Sequence, residues 1–315
     1  MSQELWISLA KKYLTDHEMS YIYRQETRVM RSLIKKKIIE DIQDKLTLYH
    51  EKGPPLLANY DCDFIKINRK ATVIETEDIK NAKLITTESG FDIYIGRKDE
   101  KGNARKLNQK RTSLAHELGH TYLYNMDISP PQPLVKTTFF NHIRRGAYFG
   151  AEEGLPYEIG RELLVPTFLL EKNIPRRPSL GYFFKAHKTF LVTKQLMAKR
   201  LFWSPYDYEK NENFWKDAIL LLYPFSKLRN QGYPMAQGNR EVYKGAFFKN
   251  FDLRKNWEKF QRLMDTNQKY FNNILFCDLA IRFKQKQLAA EVFFSKNDLS
   301  SNVFLYLLVY TKEEQ

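Results

Sequence analysis

Two histidines four positions apart, with a glutamate directly after the first, form the part of the chain whose spacing best suits catalysis. They are His116, Glu117 and His120 in the segment HELGH. Residues four apart on an α-helix rise about 6 Å and return to nearly the same face, so the two imidazoles can bind one zinc ion. The carboxylate of Glu117 would lie beside the metal, where it can take a proton from zinc-bound water and pass it to a leaving amine. The spacing predicts a zinc hydrolase that cleaves peptide bonds.

A zinc ion held by two histidines in a hydrolase needs a third protein ligand. The extension that supplies a third histidine in the metzincins is absent, because Leu123 stands where it needs Gly and Met126 where it needs His. A carboxylate on a second helix that packs across the first is the natural candidate. The segment 151–166 supplies four carboxylates, and the sequence chemistry alone does not choose among them. They are Glu152, Glu153, Glu158 and Glu162.

Over about residues 84–202 the chain resembles the ImmA/IrrE family of metallo-endopeptidases. The resemblance is carried by the run GFDIYIGRKDEKGNARKLNQKRTSLAHELGH and by the later segment that ends in RELLVP. In that family a strand precedes an R-x-T/S-x-A-H-E-x-G-H helix, and the first Glu of a second helix is the third zinc ligand. Matching the second helix back from its final proline puts this ligand at Glu153. Pro156 and Tyr157 replace the family's small residue and its Asn or Asp, so Glu152 stays open as the alternative.

The resemblance implies a zincin-like peptidase in which His116, His120 and Glu153 bind Zn²⁺ and Glu117 is the catalytic residue. It implies cleavage of a protein partner, a helix-turn-helix transcriptional repressor, in a mobile-element or stress response. By the same resemblance, the strand predicted at Phe91–Ile95 would be an edge strand of the cleft and would pair with the backbone of an extended substrate.

Length and composition predict a globular protein of two domains, or of one domain with a large extension. With 315 residues, 43% of them hydrophobic, the chain can bury a sizeable core. Residues 1–20 hold no apolar core of signal-peptide length, and no stretch approaches roughly eighteen apolar residues, so we expect a cytoplasmic protein that does not bind a membrane. Cys62 and Cys277 lie far apart, so we expect two reduced thiols and a zinc site made only of histidine and carboxylate.

The net charge of +14 favours polyanionic surroundings or an acidic partner. Basic helix faces such as RSLIKKK need no ligand, however, so direct nucleic-acid contact and a merely solvated surface both stay open. No zinc finger, RNA-recognition motif or P-loop is present in the sequence.

The predicted elements are those of an α+β protein. Helices are expected over residues 3–15, 18–51, 180–188, 194–202 and 253–270. Strands are expected over residues 64–67, 71–75, 84–87, 91–95, 217–225, 274–284, 289–294 and 303–311.

Three domains are expected from this order of elements. Residues 1–178 form a zinc metallopeptidase domain with an N-terminal helical arm. Residues 179–208 form a helix-turn-helix-like helical pair, with the spacing of a DNA-binding motif but also of many helical hairpins that only pack on a core. Residues 209–315 form an α+β domain for sensing or docking. Family members such as the radiation-response regulators carry a GAF-type sensor domain there, although no motif of this chain identifies one.

The stretch Ile128–Gly150, between the two predicted site helices, has no clear periodicity and is expected to be a loop near the site. Its polar residues His142 and Tyr148 are candidates for stabilising an oxyanion or contacting substrate. A lone His or Tyr in an aromatic loop more often packs or faces solvent.

Two functions from different classes therefore remain. The first is a zinc endopeptidase. The alternative is a DNA- or protein-binding regulator whose zinc site is structural or inactive. The presence of Glu117 favours the endopeptidase, because a purely structural zinc site does not need a carboxylate that binds no metal.

Overall fold

The computed structural model is a mixed α and β architecture that divides into two compact units, which confirms the α+β class. It describes residues 3–22, 27–50, 60, 62–134, 151–202, 214–224, 242–253, 255–267, 272–296 and 303–312. The first unit comprises residues 1–173, 189–193 and 205–210, and the second comprises residues 174–188, 194–204 and 211–315. No helix in the described ranges is long and apolar enough to cross a membrane.

The first unit contains six helices within its described part, together with short strands and one π-helical turn. Its helices are α1 (Gln3–Tyr13), α2 (Asp16–Ile22), α3 (Thr27–His50), α4 (Leu107–Thr121), α5 (Ala151–Leu164) and α6 (Thr167–Asn173). Its strands are β1 (Ala71–Thr76), β2 (Ala82–Thr86), β3 (Phe91–Gly96), β4 (Tyr124–Asn125) and β5 (Gln132–Pro133), and the π-helical turn is Phe64–Asn68.

The long helix α3 forms because its apolar residues recur at helical spacing and face the protein interior. Ile34, Ile38, Ile42 and Leu46 are each at most 1% exposed. Helix α1 packs along α3 through its own buried apolar residues. The N-terminal helical arm is therefore part of the core of the first unit.

The three-stranded sheet has the order β1-β3-β2, with β3 parallel to β1 and antiparallel to β2. Phe91, Ile93 and Ile95 are buried and alternate with half-buried residues, as predicted for a half-buried strand. The prediction that this strand is an edge strand is wrong, because both of its sides are hydrogen-bonded. Within the described chain, β1 and β2 are the edges of this sheet.

The predicted strand at residues 64–67 is also wrong, because this segment is the π-helical turn. Its two buried residues, Phe64 and Ile65, are neighbours in sequence, whereas a half-buried strand buries every second residue. The predicted loop at 128–150 is described only to residue 134. His142 and Tyr148 lie outside the described residues.

The second unit contains an antiparallel sheet with helices on both faces. Its described helices are α7 (Leu180–Thr189), α8 (Lys194–Phe202) and α9 (Trp257–Asn267), with a 3₁₀ turn at Ala246–Phe248. Its strands are β6 (Ala218–Pro224), β7 (Val242–Lys244), β8 (Leu275–Phe283), β9 (Lys286–Lys296) and β10 (Val303–Thr311), in the order β7-β6-β10-β9-β8.

Successive side chains of β10 lie on opposite faces of this sheet, and the two faces pack against different helices. Leu305, Leu307 and Val309 belong to a core that also contains Trp257 and Phe260 of α9. On the opposite face, Tyr306 packs edge-on against Phe184 of α7, with ring centroids 5.1 Å apart. The strands of this unit were predicted largely correctly because this alternation is strong, whereas the short β7 was missed.

The helical pair predicted at 180–188 and 194–202 is confirmed as α7 and α8. Six of the nine residues of α8 are buried, and Lys194 donates a hydrogen bond of 2.6 Å to the hydroxyl of Tyr306. A recognition helix needs an exposed face to enter a DNA groove. Helix α8 has little exposed surface of this kind, so its burial favours the packing interpretation of the pair.

A buried carboxylate joins the sheet to the first turn of α7. Glu291 of β9 is 1% exposed, and its Oε2 accepts a hydrogen bond of 2.6 Å from the main-chain N–H of Leu180. Burial raises the pKa of Glu291 above its ordinary value of 4.5, although the Leu180 N–H and the charge of Arg177 oppose the change.

We expect the Glu291→Gln variant to lose one component of the pH dependence of stability. Because the folded-state pKa is raised, the stability contributed by this group is fully present below pH 4.5 and is lost as the pH rises through the folded pKa. As the pH rises through that window, the free energy of unfolding of the wild type should therefore fall relative to that of the variant. Denaturant titration of both proteins at a series of pH values measures this difference. A difference between the two proteins that does not change with pH would contradict this assignment.

Candidate metal centre

Helix α4 carries the HELGH segment and is well defined at its start. The main-chain N–H of Lys106 donates a hydrogen bond of 2.9 Å to the side-chain oxygen of Gln109, which satisfies a group that the first turn leaves without a helical partner. Leu114, Ala115 and Leu118 are fully buried, so one face of the helix packs into the core. The helix is therefore fixed by its apolar face, and the candidate residues His116 and Glu117 are half-buried.

Helices α4 and α5 cross in close backbone contact at two glycines. A Cβ atom added to Gly119 would lie 2.4 Å from the carbonyl oxygen of Pro156, and one added to Gly160 would lie 2.9 Å from the carbonyl oxygen of Ala115. Only glycine permits such an approach, because any other residue carries a Cβ. The crossing places the middle of α5 directly against the HELGH segment.

The two histidines face one another on α4. The Nε2 atoms of His116 and His120 are 3.1 Å apart, and their rings meet nearly at right angles. His120 is 6% exposed, whereas His116 is half-buried. The ring of Tyr157 on α5 lies with its centroid 4.0 Å from that of His116 and restricts the orientation of this imidazole. Tyr157 is itself 41% exposed, so it lies at the solvent side of the pair.

Glu117 is half-buried and lies between the two histidines in sequence. The charge of Glu117 acts on Tyr124 of β4. Burial raises the pKa of the Tyr124 phenol, and the negative charge of Glu117 raises this pKa further. Tyr124 therefore stays protonated at neutral pH.

Two of the four candidate carboxylates on α5 are bound elsewhere. The oxygens of Glu158 lie 2.9 Å and 2.8 Å from the ammonium of Lys35 on α3. Glu162 is 1% exposed and accepts hydrogen bonds of 2.6 Å and 2.8 Å from the main-chain N–H and the hydroxyl of Thr167. It also accepts one of 3.2 Å from Gln43. These contacts join α5 to α3 and α6.

The side chains of Glu152 and Glu153 lie outside the described residues, although both positions belong to α5. Among the side chains that are described, no group of three or more His, Cys, Asp and Glu residues could hold a metal ion. The described part of the site thus consists of the two histidines and Glu117.

Cationic side chains fix α4 to the elements around it. Arg105 donates to the carbonyls of Asn81 and Gly96, next to the ends of β2 and β3, and Lys110 pairs with both oxygens of Glu75 on β1 at 3.0 Å and 2.9 Å. These contacts attach the first half of α4 to the three-stranded sheet.

Arg111 is 1% exposed and donates hydrogen bonds of 2.7 Å and 2.6 Å to the carbonyls of Phe190 and Leu191, which belong to the first unit. Burial lowers the pKa of Arg111 to about 10, so it remains charged at neutral pH. At the other end of the helix, Nε of Arg69 donates to the hydroxyl of Thr121 at 2.8 Å. Helix α4 is thus held near both ends by buried guanidinium groups.

Sequence reasoning missed the roles of Arg111, Tyr124 and Tyr157. Arg111 belongs to the family pattern of the HELGH helix, and Tyr157 departs from the pattern of the second helix. Their contacts join residues that lie between 7 and 80 positions apart, and no local pattern indicates such pairs.

Comparisons with known proteins add no assignment. A scan against protein-family models found none that matches the chain, and a search of curated proteins found no match. Function is therefore inferred from the residues and from their geometry.

Proposed function

We propose that this protein is a zinc-dependent endopeptidase in which His116, His120 and Glu153 bind the metal and Glu117 is the catalytic base. The observation that carries the proposal is the pair of imidazole Nε2 atoms that face one another 3.1 Å apart on α4. The proposal is tested by comparing the peptide ends that the wild-type protein and its Glu117→Gln variant produce in a host lysate.

The spacing of the two nitrogens suits a shared zinc ion. Two nitrogens bound to zinc at roughly 2.0–2.1 Å with a near-tetrahedral angle lie about 3.3 Å apart. The distance between His116 and His120 is within about 0.2 Å of this value. Two neutral imidazoles could also share a hydrogen bond at this distance, but the carboxylate of Glu117, directly after His116, favours a catalytic metal site.

The third ligand is assigned to Glu153 from its position on α5. Residues three, four and seven positions further along are Pro156, Tyr157 and Gly160, and each of these three contacts α4. Positions with these separations share one face of a helix. Position 153 therefore belongs to the face that meets the HELGH segment, which supports the assignment from the family pattern. Glu158 and Glu162 have the other partners described above.

In this proposal the metal would polarise the peptide carbonyl and lower the pKa of a bound water molecule. Glu117 accepts the proton of the attacking water and delivers it to the leaving amine, which requires a carboxylate that is ionised and partly accessible. Its half-buried position and the neighbouring Tyr124 suit this role. The Tyr124 phenol, protonated at neutral pH, can donate a hydrogen bond and interacts electrostatically with Glu117.

The strand that binds an extended substrate is assigned to β2. Gly96 N donates to Asn81 O at 2.6 Å, and Thr87 N donates to Gly90 O at 2.9 Å. Because hydrogen-bonded pairs alternate along antiparallel strands, the odd-numbered residues of β2 bond to β3. The main-chain groups of Ala82, Leu84 and Thr86 therefore face the open edge, where a peptide can add as a further strand. Strand β2 also contacts α4.

The family resemblance extends the proposal to biology. It suggests a cytoplasmic enzyme whose substrate is a protein partner, a DNA-bound helix-turn-helix repressor, cleaved in a mobile-element or stress response. Zincin-like architecture of the first unit and a GAF-like second unit are parts of the same proposal.

A second candidate is a DNA- or protein-binding regulator with an inert or structural zinc site. The net charge of +14 favours it. The two candidates are separated by the lysate comparison, because only the endopeptidase produces new peptide ends that depend on Glu117.

We expect the Glu153→Ala variant to bind zinc at least about 100-fold more weakly than the wild type, since it lacks a direct ligand and loss of outer-shell partners alone costs about 10- to 100-fold. Glu152→Ala should keep the wild-type affinity and is the matched control on the same turn of α5. Glu158→Ala should also keep it, because that carboxylate pairs with Lys35. Zinc titration of the three purified variants measures the effect. Loss of affinity in the Glu152 or Glu158 variant, with the Glu153 variant unchanged, would mean that the helix is aligned incorrectly.

A further inference from the structure

The positive charge of the protein is concentrated in the second unit. This unit holds 23 of the 51 Lys and Arg residues but only 11 of the 37 Asp and Glu residues, a net charge of +12 out of +14. The first unit is nearly neutral, so the basic run RSLIKKK there is offset by acids. An excess confined to one unit indicates that this unit meets a polyanion.

Four lysines of the second unit come from two neighbouring segments. Lys284 and Lys286 lie at the tip of the β8–β9 hairpin, and Lys244 and Lys249 flank the 3₁₀ turn that carries Phe247. The ammonium of Lys284 lies 3.2 Å from the carbonyl oxygen of Phe247, and Lys244 donates to the carbonyl of Phe251 at 2.8 Å. We call these four lysines the hairpin patch.

The hairpin patch is rigidly built. Lys284 and Gln285 both have positive φ angles, of 47° and 66°, as a tight two-residue hairpin turn requires. The ring of Phe247 packs against the ring of Phe283 at 5.5 Å and against the core of the unit. The lysines of the hairpin patch are therefore attached to backbone segments that are held in place by packing.

The described ion pair between Lys312 and Asp278 involves none of these lysines, and the negative charge of Asp252 acts on Lys244. Lys249, Lys284 and Lys286 are exposed, so their charges face solvent. Exposed ammonium groups on a rigid turn suit the phosphates of a nucleic-acid backbone.

The aromatic ring inside the patch decides between kinds of nucleic acid. The ammonium groups of Lys284 and Lys286 lie 4.8 Å and 5.5 Å from the centroid of the Phe247 ring. Proteins that bind single strands stack bases on open aromatic faces. Because lysines lie over this ring, the patch presents charge and no stacking platform, which favours the backbone of a duplex.

We propose that the hairpin patch binds the phosphate backbone of double-stranded DNA without reading its sequence. This goes beyond the proposed peptidase activity and stands without it, because none of the four lysines belongs to the metal centre. Helix α8 is not used, since most of it is buried. If the endopeptidase proposal also holds, the patch would hold the enzyme on the DNA where a bound repressor is found.

The test measures how tightly the full-length protein binds a fluorescently labelled DNA duplex of mixed sequence. Fluorescence anisotropy gives the affinity at salt concentrations between about 50 and 200 mM. The variant carries Lys284→Asn and Lys286→Gln; asparagine suits the positive φ at position 284. Each lost phosphate contact lowers the slope of log affinity against log salt by about 0.9, so we expect a decrease of about 1.8 and binding weakened about tenfold.

The matched control removes two exposed charges from α7, on the opposite face of the same sheet, by Lys185→Gln and Lys188→Gln. This control should keep most of the wild-type slope of log affinity against log salt. The double variant Lys284→Arg and Lys286→Arg retains both positive charges and should keep the whole slope. The proposal is overturned if the wild type does not bind the duplex, if the control loses as much as the patch variant, or if the patch variant binds unchanged. Tighter binding to the matching single strand, to polyglutamate or to anionic vesicles would also overturn it. Activity of Glu117→Gln plays no part in these outcomes, so failure of one proposal does not imply failure of the other.

Discussion

Replacing Glu117 with glutamine is expected to leave the zinc content unchanged and to slow peptide cleavage by about 10²- to 10⁴-fold, the usual contribution of a general base. Glutamine has nearly the shape of glutamate but cannot accept the proton of the attacking water. Zinc is retained because the proposed ligands are His116, His120 and Glu153. New peptide ends formed in a host lysate, compared by mass spectrometry for wild type and variant, measure the effect.

The matched control is Glu100→Gln, the same chemical change at an exposed turn of the first unit. This variant should cut as fast as the wild type. If wild type and Glu117→Gln produce the same peptide ends at the same rate, the peptidase proposal is refuted and the regulator becomes the better candidate.

Replacing Gly119 with alanine is expected to destabilise the first unit by about 1–3 kcal/mol, as overpacking of a close contact does. The new Cβ would lie 2.4 Å from the carbonyl oxygen and 2.8 Å from the Cα of Pro156, and backbone atoms cannot yield as a flexible side chain can. Alanine favours the helix itself by up to about 1 kcal/mol, which offsets part of this cost. Because α5 must move away from α4, zinc affinity should fall as well.

Alanine substitutions at two glycines of α5 serve as comparisons for Gly119→Ala. At Gly154 no atom lies within 4 Å of an added Cβ, so Gly154→Ala should stabilise the protein by roughly 0.5–1 kcal/mol. Gly160→Ala should fall between the two, since its Cβ would lie 2.9 Å from the carbonyl oxygen of Ala115. Unfolding midpoints in denaturant give the order. A Gly119→Ala protein as stable as the wild type, with unchanged zinc affinity, would mean that the helices are not in contact as described.

The sequence predicts those elements in which buried residues recur at a regular spacing along the element itself. Strand β3 and strand β10 alternate residue by residue, and α3 keeps a helical stripe, so each reveals its own conformation. The order of strands in a sheet depends on partners distant in sequence. For this reason β3 was identified as a strand but misplaced at an edge, and β1 lies parallel to it through a connection that no local pattern encodes.

The candidate site shows the same division. The spacing of His116 and His120 alone predicts that their rings meet, and the structure places their Nε2 atoms 3.1 Å apart. The choice among four glutamates needed contacts that span the chain: the partner of Glu158 is Lys35, 123 residues earlier. The close crossing at Gly119 cannot be read from the sequence, because the sequence does not say which backbone packs against this residue.

The anchoring of Arg111 has a consequence for how this protein is made. Its two carbonyl acceptors lie in the turn 190–191, which follows α7 in the chain but belongs to the first unit. When only residues 1–173 have been synthesised, Arg111 has neither of these carbonyl acceptors, and α4 lacks one of the contacts that anchor it. Domains usually fold as units while the chain emerges. Because residues 190–191 follow α7 in the chain, we expect the first unit to complete its packing only after synthesis of the second unit has begun.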